Sequence, residues 1–184
     1  MTRVWLIRHG ESTRAPGTVV GVTDPPLSEQ GLAQARVLAV AMAARPLVRV
    51  VSSDRQRALE TARIVAEPHS LPVDSTLALR EIDFGAWEGR SLADLWSEEP
   101  DAARAWEQDI SSTPPSFGES LHDHEGRVAM FWAGLTPLPP RGEVAIVAHR
   151  GSLAVLRALI SGSTVADAFR VELDLGAAIP VVAG

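Results

Sequence analysis

The chain has 184 residues, 46% of them hydrophobic and 22% charged, and its 17 basic residues are all arginine. Lysine, asparagine, cysteine and tyrosine are absent, which excludes Schiff-base chemistry, the Walker A phosphate loop, thiol nucleophiles, Cys-ligated zinc and disulfides. The net charge of −6 argues against nucleic acid or an anionic membrane as partner, both of which want a basic surface. No apolar run approaches the length of a membrane span, and the run at residues 4–7 is too short for a signal peptide, so the cytoplasm is the expected location.

In chain order, residues 4–7 predict a buried strand that delivers Arg8-His9-Gly10 at its C-terminal end. A loop rich in Gly, Pro and Thr runs to Pro25-Pro26. Ser28 predicts the N-cap of a helix to about Ala44, with Leu32, Ala35, Ala39 and Met42 on one stripe. Residues 48–51 predict a second strand ending in Ser52-Ser53-Asp54, where Ser53 or Asp54 can cap a helix to about Ala66. Residues 77–83 are expected to be extended, Phe84-Gly85 to turn, and residues 91–96 and 101–109 to form short helices separated by Pro100. A loop at 111–118 and a helix at 119–134 follow. Val144-Ala145-Ile146-Val147-Ala148, ending at His149, has the unbroken apolar pattern of a central parallel strand. A buried helix at 151–161 comes next, and residues 171–173 and 179–182 are candidate closing strands.

Alternating strands and helices imply one α/β domain over residues 1–184, a three-layer α/β/α sandwich on a mostly parallel central sheet. Ligands of such folds bind beyond the carboxyl ends of the strands. Those ends carry Arg8 and His9, the 52–57 turn, and His149. Guanidinium forks onto two phosphate oxygens, and a neutral imidazole is a competent nucleophile at phosphorus. Such chemistry also needs an acid at the leaving oxygen, and Glu81 is one of several carboxylates that could serve.

Four ordered motifs then carry a resemblance. Leu6-Ile7-Arg8-His9-Gly10-Glu11-Ser12 resembles the signature of the histidine phosphatase superfamily, which includes the cofactor-dependent phosphoglycerate mutases; Ser52-Ser53-Asp54-Arg55-Gln56-Arg57-Ala58-Leu59-Glu60-Thr61-Ala62 resembles its second motif. Leu79-Arg80-Glu81 with Phe84-Gly85-Ala86-Trp87-Glu88-Gly89 is similar to the segment bearing the proton donor, and Val147-Ala148-His149-Arg150-Gly151 to that supplying the second histidine. The resemblance implies a phosphoglycerate mutase-like fold and an enzyme without cofactor or metal, acting on a small phosphate ester. His9 would be the nucleophile, Arg8, Arg57 and His149 the phosphate cage, and Glu81 the acid and then the base.

The chain departs from the pattern twice. Thr13-Arg14-Ala15-Pro16-Gly17 stands where many members carry an asparagine, so Ser12 or Arg14 is expected to supply that contact, and Arg150 follows the second histidine where glycine is common. Ser12, Arg14, Thr23 and Arg150 are thus candidate substrate contacts. The chain is too short for the middle insertion usual in the mutases, and segments such as Gly21-Val22-Thr23-Asp24-Pro25-Pro26-Leu27 and Gly118-Glu119-Ser120 are similar to the α-ribazole phosphatase branch. Mutase-type phosphoryl transfer and a non-catalytic binder of phosphorylated ligands are the alternatives. His122 and His124 sit two apart on a predicted helix, cannot share one metal ion, and are expected at the surface. Trp87 is expected in the pocket wall.

Overall fold

The computed structural model describes residues 1–15, 17–108 and 115–183. Its strands are β1 (Thr2–Arg8), β2 (Leu47–Ser53), β3 (Val73–Thr76), β4 (Glu143–Ala148) and β5 (Ala178–Ala183), in the order β3-β2-β4-β1-β5. All neighbours are parallel except β5, which runs antiparallel to β1 along the edge. Pro180 is tolerated there, since an edge strand has one side with no ladder to donate to.

The helices are α1 (Glu29–Met42), α2 (Gln56–Ala66), α3 (Leu92–Glu98), α4 (Pro100–Gln108), α5 (Leu121–Leu135), α6 (Arg150–Ser161) and α7 (Val165–Arg170). Because strand side chains alternate between faces, β1 and β4 feed two cores. Val4, Leu6, Val144, Ile146 and Ala148 pack with Val128 of α5 and Leu153 and Leu156 of α6. Trp5, Ile7, Ala145 and Val147 pack with Leu38 and Met42 of α1 and Ala58, Ala62 and Val65 of α2. The continuous apolar runs of β1 and β4 are therefore needed: a layer of helices covers each face of the sheet. Glu143 is buried at the start of β4, where its carboxylate accepts from Arg3 Nη1 at 2.8 Å and Trp5 Nε1 at 2.6 Å. No described helix is long and apolar enough to cross a membrane.

Several expectations need correction. Residues 77–79 form a 3₁₀ turn after β3 rather than extended chain. Pro100 begins α4 instead of merely separating two helices, since a proline fits the first turn, where its missing N–H would have no partner; Asp109 and residues 111–114 lie outside the described residues. Residues 171–173 form no strand; the Leu173 carbonyl instead accepts from Arg8 Nη1 at 3.0 Å. Neither Ser53 nor Asp54 caps α2: its N-cap is Arg55, and Asp24 Oδ1, from the distant loop, accepts from Gln56 N at 2.8 Å. Ser28 does cap α1, accepting from Gly31 N. The buried stripe of α1 keeps Ala35, Ala39 and Met42 but takes Leu38 in place of Leu32.

Candidate active site

The sheet order places β2, β4 and β1 side by side, so their carboxyl ends meet. His9 directly follows β1 and His149 directly follows β4, with His9 N donating to Ala148 O at 3.2 Å. Both imidazoles are buried, with ring centroids 5.0 Å apart and planes at 61°. His149 is the N-cap of α6 but makes no side-chain cap, which leaves its ring free to turn into the crevice.

Hydrogen bonds determine the protonation of His9. Its Nδ1 lies 2.7 Å from the Gly10 carbonyl, which can only accept, so Nδ1 carries the proton. Nε2 accepts from Arg57 Nε at 3.3 Å. Burial, and next the adjacent Arg57 guanidinium, push the His9 pKa down to about 3, so the imidazole is neutral with its unprotonated lone pair on Nε2. His149 Nε2 meets Ser53 Oγ at 2.9 Å, and burial followed by the neighbouring His9 lowers its pKa well below the usual value. Its Nδ1 has no partner among the described residues.

Arg57 is 1% exposed. Besides His9, it donates through Nη2 to Gly21 O at 3.0 Å and through Nη1 to Thr23 O at 2.8 Å, with Asp24 Oδ1 3.8 Å away. Two backbone carbonyls thus aim a buried guanidinium at the crevice, and burial lowers the pKa of Arg57 and of Arg8. Arg8, anchored by Leu173 O, has its Nε without a partner among the described residues. Across the cavity, Glu81 accepts from Ile82 N at 3.1 Å and Gly151 N at 3.0 Å. A Cβ at position 151 would lie 2.3 Å from Glu81 Oε1, so any larger residue there would push the carboxylate from this place.

Arg8, His9, Arg57, Glu81 and His149 all line one cavity of about 460 Å³. Ser12, Arg14 and Arg150 line it as well: Ser12 is buried, Arg14 donates to Thr18 O at 2.8 Å, and the Arg150 guanidinium stacks 4.6 Å from the Phe169 ring centroid. Thr23 does not line it. Its carbonyl is spent on Arg57 and its hydroxyl donates to Glu88 at 2.8 Å, so it supports the arginine from behind.

Two aromatic or basic assignments change. Trp87 is buried in a satellite core with Val19 and Leu95, and Trp106, stacked edge-on against Phe84 and Trp87, takes the wall instead. His124 is fully buried and reaches the cavity, whereas His122 is exposed. The buried stripe of α5 comprises His124, Val128 and Leu135, a helical spacing that marks His124 as inward. Arg127 Nη2 donates to His124 Nδ1 at 2.8 Å, closer than Glu119 Oε2 at 3.4 Å, so the ring proton sits on Nε2, which has no partner among the described residues and lies beside Glu81 and Gly151. Glu88, the other carboxylate of the motif, is occupied by backbone amides and does not line the cavity.

The sequence model of the histidine phosphatase superfamily (branch 1) matches residues 4–182. The adenosylcobalamin/α-ribazole phosphatase of Salmonella typhimurium is 34% identical over 99% of this chain and 92% of its own length. The crystal structure of the α-ribazole phosphatase of Shigella flexneri superposes with a TM-score of 0.90 at 32% identity, covering 97% of this chain and 89% of that one. The glucosyl-3-phosphoglycerate phosphatase of Mycobacterium tuberculosis is 33% identical over 90% of this chain and 78% of its own length.

Proposed function

The chain belongs to the histidine phosphatase superfamily, and from that premise we propose that it is a cytoplasmic, metal-independent phosphomonoesterase working through a phosphohistidine at His9. The observation that carries this reading is the neutral His9, its Nε2 lone pair held against the buried Arg57 guanidinium at 3.3 Å.

The dianionic phosphoryl group seats against Arg8, Arg57 and His149, whose fixed donors offset charge that builds on the equatorial oxygens. His9 Nε2 attacks phosphorus as the bond to the ester oxygen breaks, and Glu81 hands its proton to that oxygen. Glu81, now a carboxylate, takes a proton from water, which attacks phosphorus and breaks the P–N bond. Phosphate leaves, and both side chains return to their starting states. The cations that a metal would otherwise provide are supplied by guanidinium groups, which remain charged at any working pH.

For the substrate, the outer cavity is decisive. Above the cationic floor its walls are Val19, Phe84, Leu92, Trp106, Leu121 and Phe169. A compact, multiply charged ester such as 3-phosphoglycerate gains nothing from such walls. A ribose 5-phosphate bearing a flat aromatic base would bury that base against them; α-ribazole 5′-phosphate has this form, and the names of two of the relatives are those of α-ribazole phosphatases. The test is kcat/KM for α-ribazole 5′-phosphate, ribose 5-phosphate and 3-phosphoglycerate in EDTA. The aromatic ester should exceed ribose 5-phosphate by about tenfold or more, the order of magnitude of one buried ring face. Equal values would leave the phosphatase assignment and remove the substrate, and isomerisation of 3-phosphoglycerate would indicate a mutase.

A further inference from the structure

Glu88 follows Trp87 in the segment that carries Glu81, yet it faces away from the cavity and toward the 21–23 loop. Its carboxylate gathers donors from two segments. Oε1 accepts from Gly21 N at 2.9 Å, Val22 N at 3.0 Å and Phe84 N at 3.2 Å; Oε2 accepts from Thr23 N at 3.1 Å and Thr23 Oγ1 at 2.8 Å. The approach is close enough to demand glycine at 21, where a Cβ would fall 1.9 Å from Ile82 O and 2.6 Å from Glu88 Oε1.

The same loop holds Arg57 from its other side, through Gly21 O and Thr23 O. One peptide unit makes both contacts: the Gly21 carbonyl accepts from Arg57 Nη2, and the Val22 N–H of that unit donates to Glu88 Oε1. In a trans peptide these two groups point in opposite directions, so the unit stands between carboxylate and guanidinium with its dipole aligned to both. Hydrogen bonds linked in this way polarise one another. The line then continues from Arg57 Nε to His9 Nε2.

We propose that Glu88 is a positioning residue for phosphoryl binding, which organises the 21–23 loop so that Gly21 O and Thr23 O orient Arg57 on His9 and the phosphate. The inference rests on Arg57 being a phosphate-binding residue, as proposed above. It predicts that the effect of Glu88 travels through Arg57 and disappears when Arg57 is removed, which a purely structural role would not do.

The experiment is a double-mutant cycle of Glu88→Gln and Arg57→Ala, read as affinity for inorganic phosphate by calorimetry and as kcat/KM on p-nitrophenyl phosphate. Glu88→Gln alone should weaken both by about tenfold, the scale of one charge-assisted bond, and by less than about twofold in the Arg57→Ala background. Undiminished phosphate affinity in Glu88→Gln, or a loss that repeats in full without Arg57, overturns the inference. Wild-type affinity in Arg57→Ala would instead overturn the assignment of Arg57 on which it rests. Should Glu88→Gln fail to fold, Thr23→Val removes only the Oγ1 bond to Glu88 and is expected to cost roughly twofold to threefold with Arg57 present and nothing without it.

Discussion

Arg57 Nε donates to His9 Nε2, and this single contact joins the proposed phosphate-binding arginine to the proposed nucleophile. The guanidinium also spends two nitrogens on Gly21 O and Thr23 O, so three directions of its planar fork are used at once. A lysine places one ammonium at the end of a flexible chain and cannot meet all three.

Arg57→Lys is therefore expected to lower kcat/KM on p-nitrophenyl phosphate by about 10²-fold or more, although it conserves charge. Steady-state kinetics beside a thermal melt separate this from unfolding. A loss under about threefold would mean that positive charge alone suffices at this position.

Acid stability follows from the histidines. Unfolded His9 titrates near its ordinary value of 6.5, while the folded imidazole resists protonation down to about 3. Between those values the unfolded state binds a proton that the folded state does not, so stability is greatest above the unfolded pKa and falls as pH drops through that window. His149 acts in the same direction. In urea unfolding, the wild type should lose stability relative to His9→Gln by about 1.4 kcal/mol per pH unit between pH 6 and 4. A pH-independent difference between the two proteins would contradict the burial of a neutral His9.

The sequence made some of this legible and not the rest, for physical reasons. β1 and β4 are covered on both faces, which requires continuous apolar runs, and the polar residues that follow those runs are Arg8 with His9, and His149, all lining the cavity. The 77–90 segment holds its shape through tertiary bonds instead of a repeating pattern. Nothing local distinguishes Glu81, against Gly151 and the cavity, from Glu88, against the 21–23 amides. The cap of α2 comes from Asp24, remote in sequence, so inspection of the residues beside the helix points to the wrong side chains. Residues 171–173 have the alternation of a strand, but the Leu173 carbonyl is committed to Arg8. His124 is a case where the helix was foreseen and its orientation was not: being two residues from His122 excludes a shared metal but does not say which of the two faces inward.

The central claim is that phosphorus becomes bonded to His9 Nε2. Glu81→Gln should expose this intermediate, because nitrophenolate leaves without an acid whereas the water that hydrolyses phosphohistidine still needs a base. In rapid-quench kinetics with p-nitrophenyl phosphate, Glu81→Gln is predicted to release a burst of about one nitrophenolate per active site before slow turnover. Mass spectrometry under alkaline conditions should place one phosphoryl group on the peptide bearing His9, and His9→Gln should show neither burst nor label. Turnover by Glu81→Gln with no phosphorylated peptide, or label that persists in His9→Gln, would contradict the account.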